Sequence, residues 1–200
     1  MFRISVWHGD LSDSYLKFVT QLGADCIDFG GGNYFPGVAE QGYPDLDELL
    51  KIKKKIHSWG LAINRVTLPD LTEKYMLDQE GGEEELENGC KALQVFAEAG
   101  LPIARQRFAG DVFPWQTLSW RAPHRGGYLS RAESRALAEE DRSIPSAEEL
   151  DAWWAHFHRA FERMVPIAEE GDIKLVVHPS DTPHPDTPFG SLGFHRVIDA

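Results

Sequence analysis

The stretch SWGLAINRV, residues 58–66, ends an apolar-patterned run on a glycine and begins a short apolar segment directly after it. The same arrangement occurs three more times, in QLGADCIDF (21–29), EAGLPIARQRF (98–108) and EEGDIKLVV (169–177). Glycine suits the left-handed backbone conformation that commonly follows the last turn of a helix, so each glycine indicates a change from helix to strand. Together with FRISVW at residues 2–7, the pattern predicts five strands that alternate with helices.

The runs before these glycines repeat their apolar residues every three or four positions, as the buried face of a helix does. Two of them carry a start signal, because Asp45 with Glu48 and Ser146 with Glu149 have the spacing of a capping box. Regular alternation of strands and helices predicts a parallel sheet covered by helices. Two architectures satisfy this pattern: a complete doubly wound sheet of the flavodoxin type, and the first five of the eight strands of a TIM-type β/α barrel.

The spacing of the glycines predicts an insertion. The interval from Gly100 to Gly171 is longer than the earlier ones by about one unit's length, which places extra residues at about 110–145, after the fourth strand. The last helical pattern begins near Leu192 and has only about two turns before Ala200. A chain that stops inside an element favours the barrel. We therefore expect residues 1–200 to be one partial β/α barrel domain, truncated after the fifth strand.

The insertion is rich in residues that form binding surfaces: Trp115, Trp120, His124, Arg125 and Tyr128. Loops at the carboxyl ends of parallel strands build the sites of such folds, so this segment is suited to cover the strand ends. Aromatic residues are also enriched at protein interfaces, so a contact within a homo-oligomer explains them equally well. The sequence leaves both interpretations open.

Composition and charge exclude several function classes. The chain has 20 lysines and arginines against 32 aspartates and glutamates, a formal charge of −12 that repels nucleic acid and anionic membranes. Its two cysteines, Cys26 and Cys90, form no CxxC pair, which argues against a disulfide framework and favours the cytoplasm. Neither a secretory signal nor a run of about 18 consecutive apolar residues is present. A small-molecule substrate is therefore expected.

The candidate site lies at the carboxyl ends of the predicted strands, which converge on one crevice in both architectures. The polar residues predicted there are His8, Asp28, Asn64, Arg65, Arg105, Arg107, His178 and Asp181. The three arginines lie in apolar runs, where a charge needs a partner. They can pair with carboxylates such as Asp28, or they can bind the carboxylate of a substrate through the bidentate geometry of arginine.

The glycines at 30–32 and the histidine at 178 also follow predicted strands. The glycines at 30–32 follow a strand but match neither GxGxxG nor the P-loop motif, so a nucleotide site is not expected. His178 ends a strand directly before Pro179, and neutral imidazole is a common ligand of transition metals. Position alone leaves two roles for His178, a metal ligand or a hydrogen-bonded histidine at the strand end.

One segment resembles a known family. MVPIAEEGDIKLVVHPSDTP, residues 164–183, is similar to the mannonate dehydratase pattern of a proline-containing helix, AEE, glycine, an apolar strand and HPDDPP. The PFG and RVI that follow, with RVI at 196–198, are similar to the family's next segment. Weaker similarity covers RISVWHGD at the start, 52–69 and 86–103. The chain thus resembles the N-terminal five-eighths of that family.

The resemblance implies a xylose isomerase-like barrel, a divalent metal site occupied by Mn²⁺, and dehydration of the sugar acid D-mannonate to 2-dehydro-3-deoxy-D-gluconate. His178 corresponds to the family's metal-binding histidine, and Asp181 to the second aspartate of the motif, with an orienting or substrate-binding role. Arg65, Arg105, Arg107 and His8 complete the substrate-binding residues that we expect. The remaining family ligands, a cysteine, a histidine and an aspartate, belong to later strands.

Two departures from the family pattern keep other functions open. Ser180 stands where the motif has its first aspartate, and ARQRFAG (104–110) stands where the family has CYNFMP. A sugar isomerase or epimerase on the same type of barrel, and a non-catalytic sugar-acid binding protein, are the alternatives. Neither the general acid nor the general base is assigned.

Overall fold

A computed structural model of the chain describes residues 2–108, 118–134 and 146–177. Its strands are β1 (Ser5–Trp7), β2 (Cys26–Asp28), β3 (Ala62–Thr67), β4 (Ile103–Gln106), β5 (Leu118–Pro123), β6 (Leu129–Ser134) and β7 (Lys174–Val177). Its α-helices are α1 (Asp13–Gln21), α2 (Val38–Gln41), α3 (Leu46–Ser58), α4 (Glu73–Met76), α5 (Gly82–Glu98) and α6 (Ala147–Glu170), and Gly32–Tyr34 form a 3-10 turn. Two compact units divide the chain, 1–109 with 156–178 and 110–155 with 179–200.

The first unit contains a parallel sheet whose strand order identifies the architecture. The order is β1-β2-β3-β4-β7, and every neighbouring pair is parallel. Each strand therefore pairs with the next parallel strand along the chain. A flavodoxin-type sheet would place its first strand between the second and third, whereas a β/α barrel keeps the sequential order observed here. The prediction of a parallel β/α barrel is confirmed.

The glycines that end the helices behave as predicted at three of four positions. Gly23, Gly60 and Gly100 have φ angles of 84°, 77° and 65°, in the left-handed region. At the fourth position the prediction was wrong, because Asp172, with φ of 49°, takes the left-handed conformation instead of Gly171. Gly171 is required for another reason: a Cβ atom there would lie 2.4 Å from the Cβ of Ala97 on α5. Glycine at 171 therefore permits close packing of the end of α6 on α5.

The capping signal at Asp45 is confirmed in one of its two halves. The side chain of Asp45 accepts a hydrogen bond of 2.9 Å from the backbone N–H of Glu48. The reciprocal bond is not made, because the N–H of Asp45 donates to the carbonyl of Pro36 and the carboxylate of Glu48 pairs with Lys51. An N-cap of this kind stabilises a helix by about 1 kcal/mol. The second start signal is also placed correctly, since α6 begins directly after Ser146.

The hydrophobic core of the first unit lies between the sheet and its helices. Ile27, Val66 and Ala104 contribute from the strands and are fully buried. The fully buried helix residues are Leu16 on α1, Leu49 and Ile56 on α3, Leu86, Leu93 and Phe96 on α5, and Met164 on α6. Burial of one such large side chain stabilises the fold by roughly 1.5–3 kcal/mol. The apolar periodicity identifies the buried face correctly on α5, but at α1 the apolar residues Phe18 and Leu22 are exposed and Leu16 is buried instead.

The second unit contains an antiparallel hairpin within the predicted insertion. β5 pairs with β6 from Leu118 opposite Ser134 to Pro123 opposite Leu129. The turn is closed by a hydrogen bond of 2.8 Å from the N–H of His124 to the carbonyl of Tyr128, and the two rings stack with centroids 5.3 Å apart. Trp120 and Tyr128 are exposed. The cover and oligomer roles both stay predictions, and Trp115 lies outside the described residues.

Among residues 2–108, 118–134 and 146–177, no helix combines the length and the apolar character that crossing a membrane requires.

Candidate substrate site at the strand ends

Strand register places several predicted site residues on one face of the sheet. Asp28 lies opposite Arg65, and Thr67 lies opposite Arg105. Arg65 and Thr67 are two residues apart on β3, so their side chains point to the same side of the sheet. Val66 and its partner Ala104 point to the other side and are fully buried. Asp28, Arg65, Thr67 and Arg105 therefore share the face opposite the helix-covered core.

Asp28 is the centre of a small polar cluster. Its Oδ1 accepts a hydrogen bond of 2.9 Å from Nδ2 of Asn64, and its Oδ2 lies 3.5 Å from Nη2 of Arg65. Adjacent residues of β3 reach the same carboxylate because the register shifts between Ile27 and Asp28. The side chains of Asp28 and Arg65 are 23% and 22% exposed. For Arg65, the structure thus contains the pairing with Asp28 that the sequence left as one of two alternatives.

Arg105 reaches across the sheet to the end of β2. The residue is 9% exposed, and its Nη2 donates a hydrogen bond of 2.8 Å to the carbonyl oxygen of Gly30. The Trp7 ring covers the same glycine, since a Cβ atom on Gly30 would lie 1.8 Å from a ring carbon of Trp7. Thr67 donates to the carbonyl of Phe29 at 2.8 Å. Side chains from β1, β3 and β4 therefore converge on the segment that follows β2.

Arg107 is engaged in an ion pair with the loop that follows β3. Its Nη2 lies 2.6 Å from Oδ2 of Asp70. The backbone N–H of Leu71 donates to the carbonyl of Arg107, and Nε2 of Gln106 donates to the carbonyl of Pro69. These contacts join the loop to the end of β4. For Arg107, too, the structure contains a pairing with a protein carboxylate, that of Asp70.

His8 lies in an aromatic cluster. Its ring centroid is 4.8 Å from that of Trp7, 4.2 Å from that of Tyr34 and 5.1 Å from that of Phe29. The residue is 7% exposed, and burial lowers the pKa of its imidazole below the usual value. His8 is therefore neutral at neutral pH and makes the ring contacts of a packed histidine. Its substrate-binding role stays a prediction.

The metal site predicted from the family resemblance cannot be built from the described residues. His178, the predicted ligand, and Asp181 lie outside them. Within residues 2–108, 118–134 and 146–177, no group of three or more histidine, cysteine, aspartate or glutamate side chains could hold a metal ion. Burial also raises the pKa of both cysteine thiols, which disfavours the thiolate that metals bind. The described part of the chain does not fit a metal ion by itself.

Sequence reasoning missed three residues that the site uses: Trp7, Thr67 and Asp70. Trp7 is the last residue of the predicted strand FRISVW and Thr67 directly follows the segment that ends at Val66, and a sequence does not tell which strand residues face the helices. Asp70 had a usable signal, since it is a carboxylate three residues beyond Thr67, the last residue of β3. A search of each strand end for acidic residues would have paired it with Arg107.

Comparison with known proteins gives one family-level match and one group of relatives. Residues 128–200 match the family model of D-mannonate dehydratase (UxuA). The mannonate dehydratase of Streptococcus equi subsp. zooepidemicus (strain MGCS10565) is 25% identical, in a match that covers 79% of this chain and 48% of that protein. The chain thus spans about half the length of the curated relatives it matches.

Solved structures support the fold. The crystal structure of mannonate dehydratase from Streptococcus suis serotype 2 superimposes with a TM-score of 0.70 at 21% identity, covering 92% of this chain and 55% of that one. A xylose isomerase-like TIM barrel protein from Mycobacterium smegmatis, solved in complex with magnesium, gives a TM-score of 0.52 at 17% identity, covering 93% and 52%. The chain therefore shares the parallel β/α barrel fold of these structures over about half of their length.

Proposed function

We propose that this chain, whose similarity to the mannonate dehydratase family is confirmed by sequence and by fold, is part of an enzyme that dehydrates a sugar acid. The proposed substrate is D-mannonate and the proposed product is 2-dehydro-3-deoxy-D-gluconate. The observation that carries the proposal is the agreement between the family match over residues 128–200 and the mannonate dehydratase relatives, which are aligned with most of the chain.

The strand-end residues support an anionic substrate. The chain as a whole carries a formal charge of −12, yet Arg65 and Arg105 share one face of the sheet at the carboxyl ends of β3 and β4. Arginine binds carboxylates with two parallel hydrogen bonds, which gives both affinity and orientation. Two neighbouring arginines at the strand ends of an acidic protein suit a substrate that carries one carboxylate.

The proposed reaction is an elimination of water. The proton on C2, next to the carboxylate, and the hydroxyl group on C3 leave together as one water molecule. The enol that remains rearranges to the 2-keto acid, so no oxidant or reductant is consumed. The chain's own contribution would be to hold the carboxylate with strand-end arginines, so that the C2 proton meets a base in a fixed geometry. The base itself is not assigned among the described residues.

The proposal includes a divalent metal, Mn²⁺, with His178 as one of its protein ligands and Asp181 in an orienting or substrate-binding role. Its support is the HPSDTP segment at 178–183 and its resemblance to the family motif. When bound, such an ion would supply electrostatic stabilisation of the negative charge that develops during elimination. We also propose that the reaction takes place in the cytoplasm, because the two cysteines form no CxxC pair and no disulfide framework is expected.

The test uses the full-length protein, purified with Mn²⁺ and compared with His178→Ala and Asp181→Asn. Metal content is measured by elemental analysis, and conversion of D-mannonate is followed by NMR. We expect His178→Ala to lose metal and turnover together, because it removes a ligand, and Asp181→Asn to retain more metal than His178→Ala.

Two results would contradict parts of this proposal separately. Unchanged metal occupancy in His178→Ala would show that His178 is not a ligand. A folded, metal-loaded protein that leaves D-mannonate unchanged would refute the dehydratase activity. In that case, conversion of an aldose to a ketose or an epimer would support the isomerase alternative, and binding without conversion would support the binding protein.

A further inference from the structure

We propose that Asp28, Asn64 and Arg65 form the binding site for the carboxylate of the substrate. In this subsite Arg65 contacts the carboxylate, and Asp28 and Asn64 hold Arg65 in position. The proposal rests on the proposed function for the identity of the ligand, a sugar acid. It assigns the anion-binding role to one of the three strand-end arginines and a positioning role to the neighbouring carboxylate of Asp28.

The contacts of Arg65 leave much of its hydrogen-bonding capacity unused. Its Nη2 lies 3.5 Å from Oδ2 of Asp28, longer than the roughly 2.7–2.9 Å of a charge-assisted hydrogen bond. Its Nε is buried and has no hydrogen-bond partner within the described part of the chain. The side chain is still 22% exposed, so its exposed donors are those of the terminal amino groups. These two groups form the planar fork that fits both oxygens of a carboxylate.

Both carboxylate oxygens of Asp28 are engaged by neighbouring side chains, and its negative charge repels an anionic ligand. Asn64 donates to Oδ1 at 2.9 Å, and Oδ2 faces Arg65. The register shift between Ile27 and Asp28 brings both neighbours on β3 to this one carboxylate. A substrate carboxylate would be repelled by Asp28 and attracted by Arg65. In this arrangement Asp28 positions the guanidinium of Arg65 and does not itself contact the substrate carboxylate.

The other two strand-end arginines are held more closely by the protein. Arg107 lies 2.6 Å from Asp70, and this ion pair joins the loop after β3 to the end of β4. Nη2 of Arg105 donates at 2.8 Å to the carbonyl of Gly30, and the residue is buried. A ligand that recruited either guanidinium would have to break these contacts. Arg65 can donate hydrogen bonds to a substrate carboxylate while its 3.5 Å contact with Asp28 is retained.

The test measures binding separately from turnover, in the full-length protein. The variants are Arg65→Gln, which removes the charge, Arg65→Lys, which keeps the charge but loses the fork, and Asp28→Asn, which keeps the shape. The matched control is Arg163→Gln on α6, because Arg163 also pairs with a carboxylate, that of Glu83, but lies outside the proposed subsite. Calorimetry with D-mannonate, D-mannitol and inorganic phosphate gives Kd for each protein, and steady-state kinetics gives KM and kcat.

We expect Arg65→Gln to raise the Kd for D-mannonate between about tenfold and a hundredfold, as removal of a charged hydrogen-bonding partner commonly does. Arg65→Lys should recover part of that loss. Asp28→Asn should raise KM more than it lowers kcat, because it disturbs binding of a group that does not react. D-Mannitol lacks the carboxylate, so its weak binding should not change. Arg163→Gln should match the unmodified protein in Kd, KM and kcat.

Several results would overturn the inference. An unchanged Kd for D-mannonate in a folded Arg65→Gln protein would do so directly. If Arg65→Gln does not fold, an unchanged Kd in both Arg65→Lys and Asp28→Asn would have the same consequence. Arg65-dependent binding of phosphate without any binding of D-mannonate would refute the carboxylate assignment. Arg65-dependent binding of D-mannonate without dehydration would support the subsite while it refuted the proposed activity.

Discussion

Replacement of Gly32 by alanine should destabilise the protein, because the loops after β2 and β3 touch at this residue. A Cβ atom on Gly32 would lie 2.1 Å from the carbonyl oxygen of Leu68 and 2.6 Å from the nitrogen of Pro69. Both are backbone atoms, so no side-chain rotation relieves the overlap. The loop at Leu68 is itself held, since its N–H donates to the carbonyl of Arg105 at 2.9 Å. Relief therefore requires two strand-end loops to separate.

The size of the effect follows from the required movement. Real Cβ atoms essentially never approach another atom more closely than 3.0 Å, so the loops must move apart by at least 0.9 Å, the difference between 3.0 and 2.1 Å. Overpacking of this kind costs about 1–3 kcal/mol, and backbone contacts on both sides favour the upper part of that range. For a domain of this size, a loss of 2–3 kcal/mol lowers Tm by roughly 4–12 °C.

Gly31→Ala is the matched control for Gly32→Ala. A Cβ atom at Gly31 meets no described atom within 4 Å, and the φ angle of this residue is −123°. Its substitution should change the free energy of unfolding by less than about 0.5 kcal/mol. Urea denaturation and calorimetric Tm of both full-length variants provide the comparison. Equal stability of Gly31→Ala and Gly32→Ala would refute the reasoning that the two loops are in backbone contact.

Three further substitutions test other parts of the structure. His8→Phe should flatten the dependence of stability on pH below about 6.5. In that range the imidazole of the unfolded chain gains a proton while the buried one, with its lowered pKa, stays neutral, so the unmodified protein loses stability as pH falls. Urea midpoints at pH 5 and pH 7 measure this, and an equal change of midpoint between the two pH values in both proteins would contradict it. Asp45→Ala should cost about 1 kcal/mol through loss of the cap on α3, whereas Asp45→Asn should cost less; an unchanged urea midpoint in Asp45→Ala would exclude the cap. Gly171→Ala should cost about 1–3 kcal/mol, and Ala97→Gly in the same chain should recover part of it, because the two Cβ atoms would lie 2.4 Å apart; strictly additive effects would mean that they do not meet.

The element order could be predicted from the sequence because each signal in it has a local cause. Helical periodicity, the cap at Asp45 and the left-handed glycines at 23, 60 and 100 depend on neighbouring residues alone. Gly171 was predicted for the wrong reason, because its need for close packing against Ala97 involves residues distant in sequence. The hairpin at 118–134 was missed, although LSWRAP (118–123) alternates apolar and polar residues, because its partner LSRAES (129–134) does not.

The candidate site was only partly predictable, for a related reason. Convergence of parallel strands indicated correctly that Asp28, Arg65 and Arg105 lie on neighbouring strands near one edge of the sheet. Which carboxylate each arginine contacts depends on register and on the shift at Asp28, and neither leaves a mark in the sequence. His178 and Asp181 lie outside the described residues, so their roles stay predictions.

The central claim, dehydration of a sugar acid, is tested most directly by incubating the folded, Mn²⁺-loaded full-length protein with D-mannonate and following the products by NMR. We predict one equivalent of 2-dehydro-3-deoxy-D-gluconate for each equivalent of D-mannonate consumed, with no epimer or ketose isomer formed. Unchanged D-mannonate, in a protein whose fold and metal content are verified in the same sample, would contradict the account.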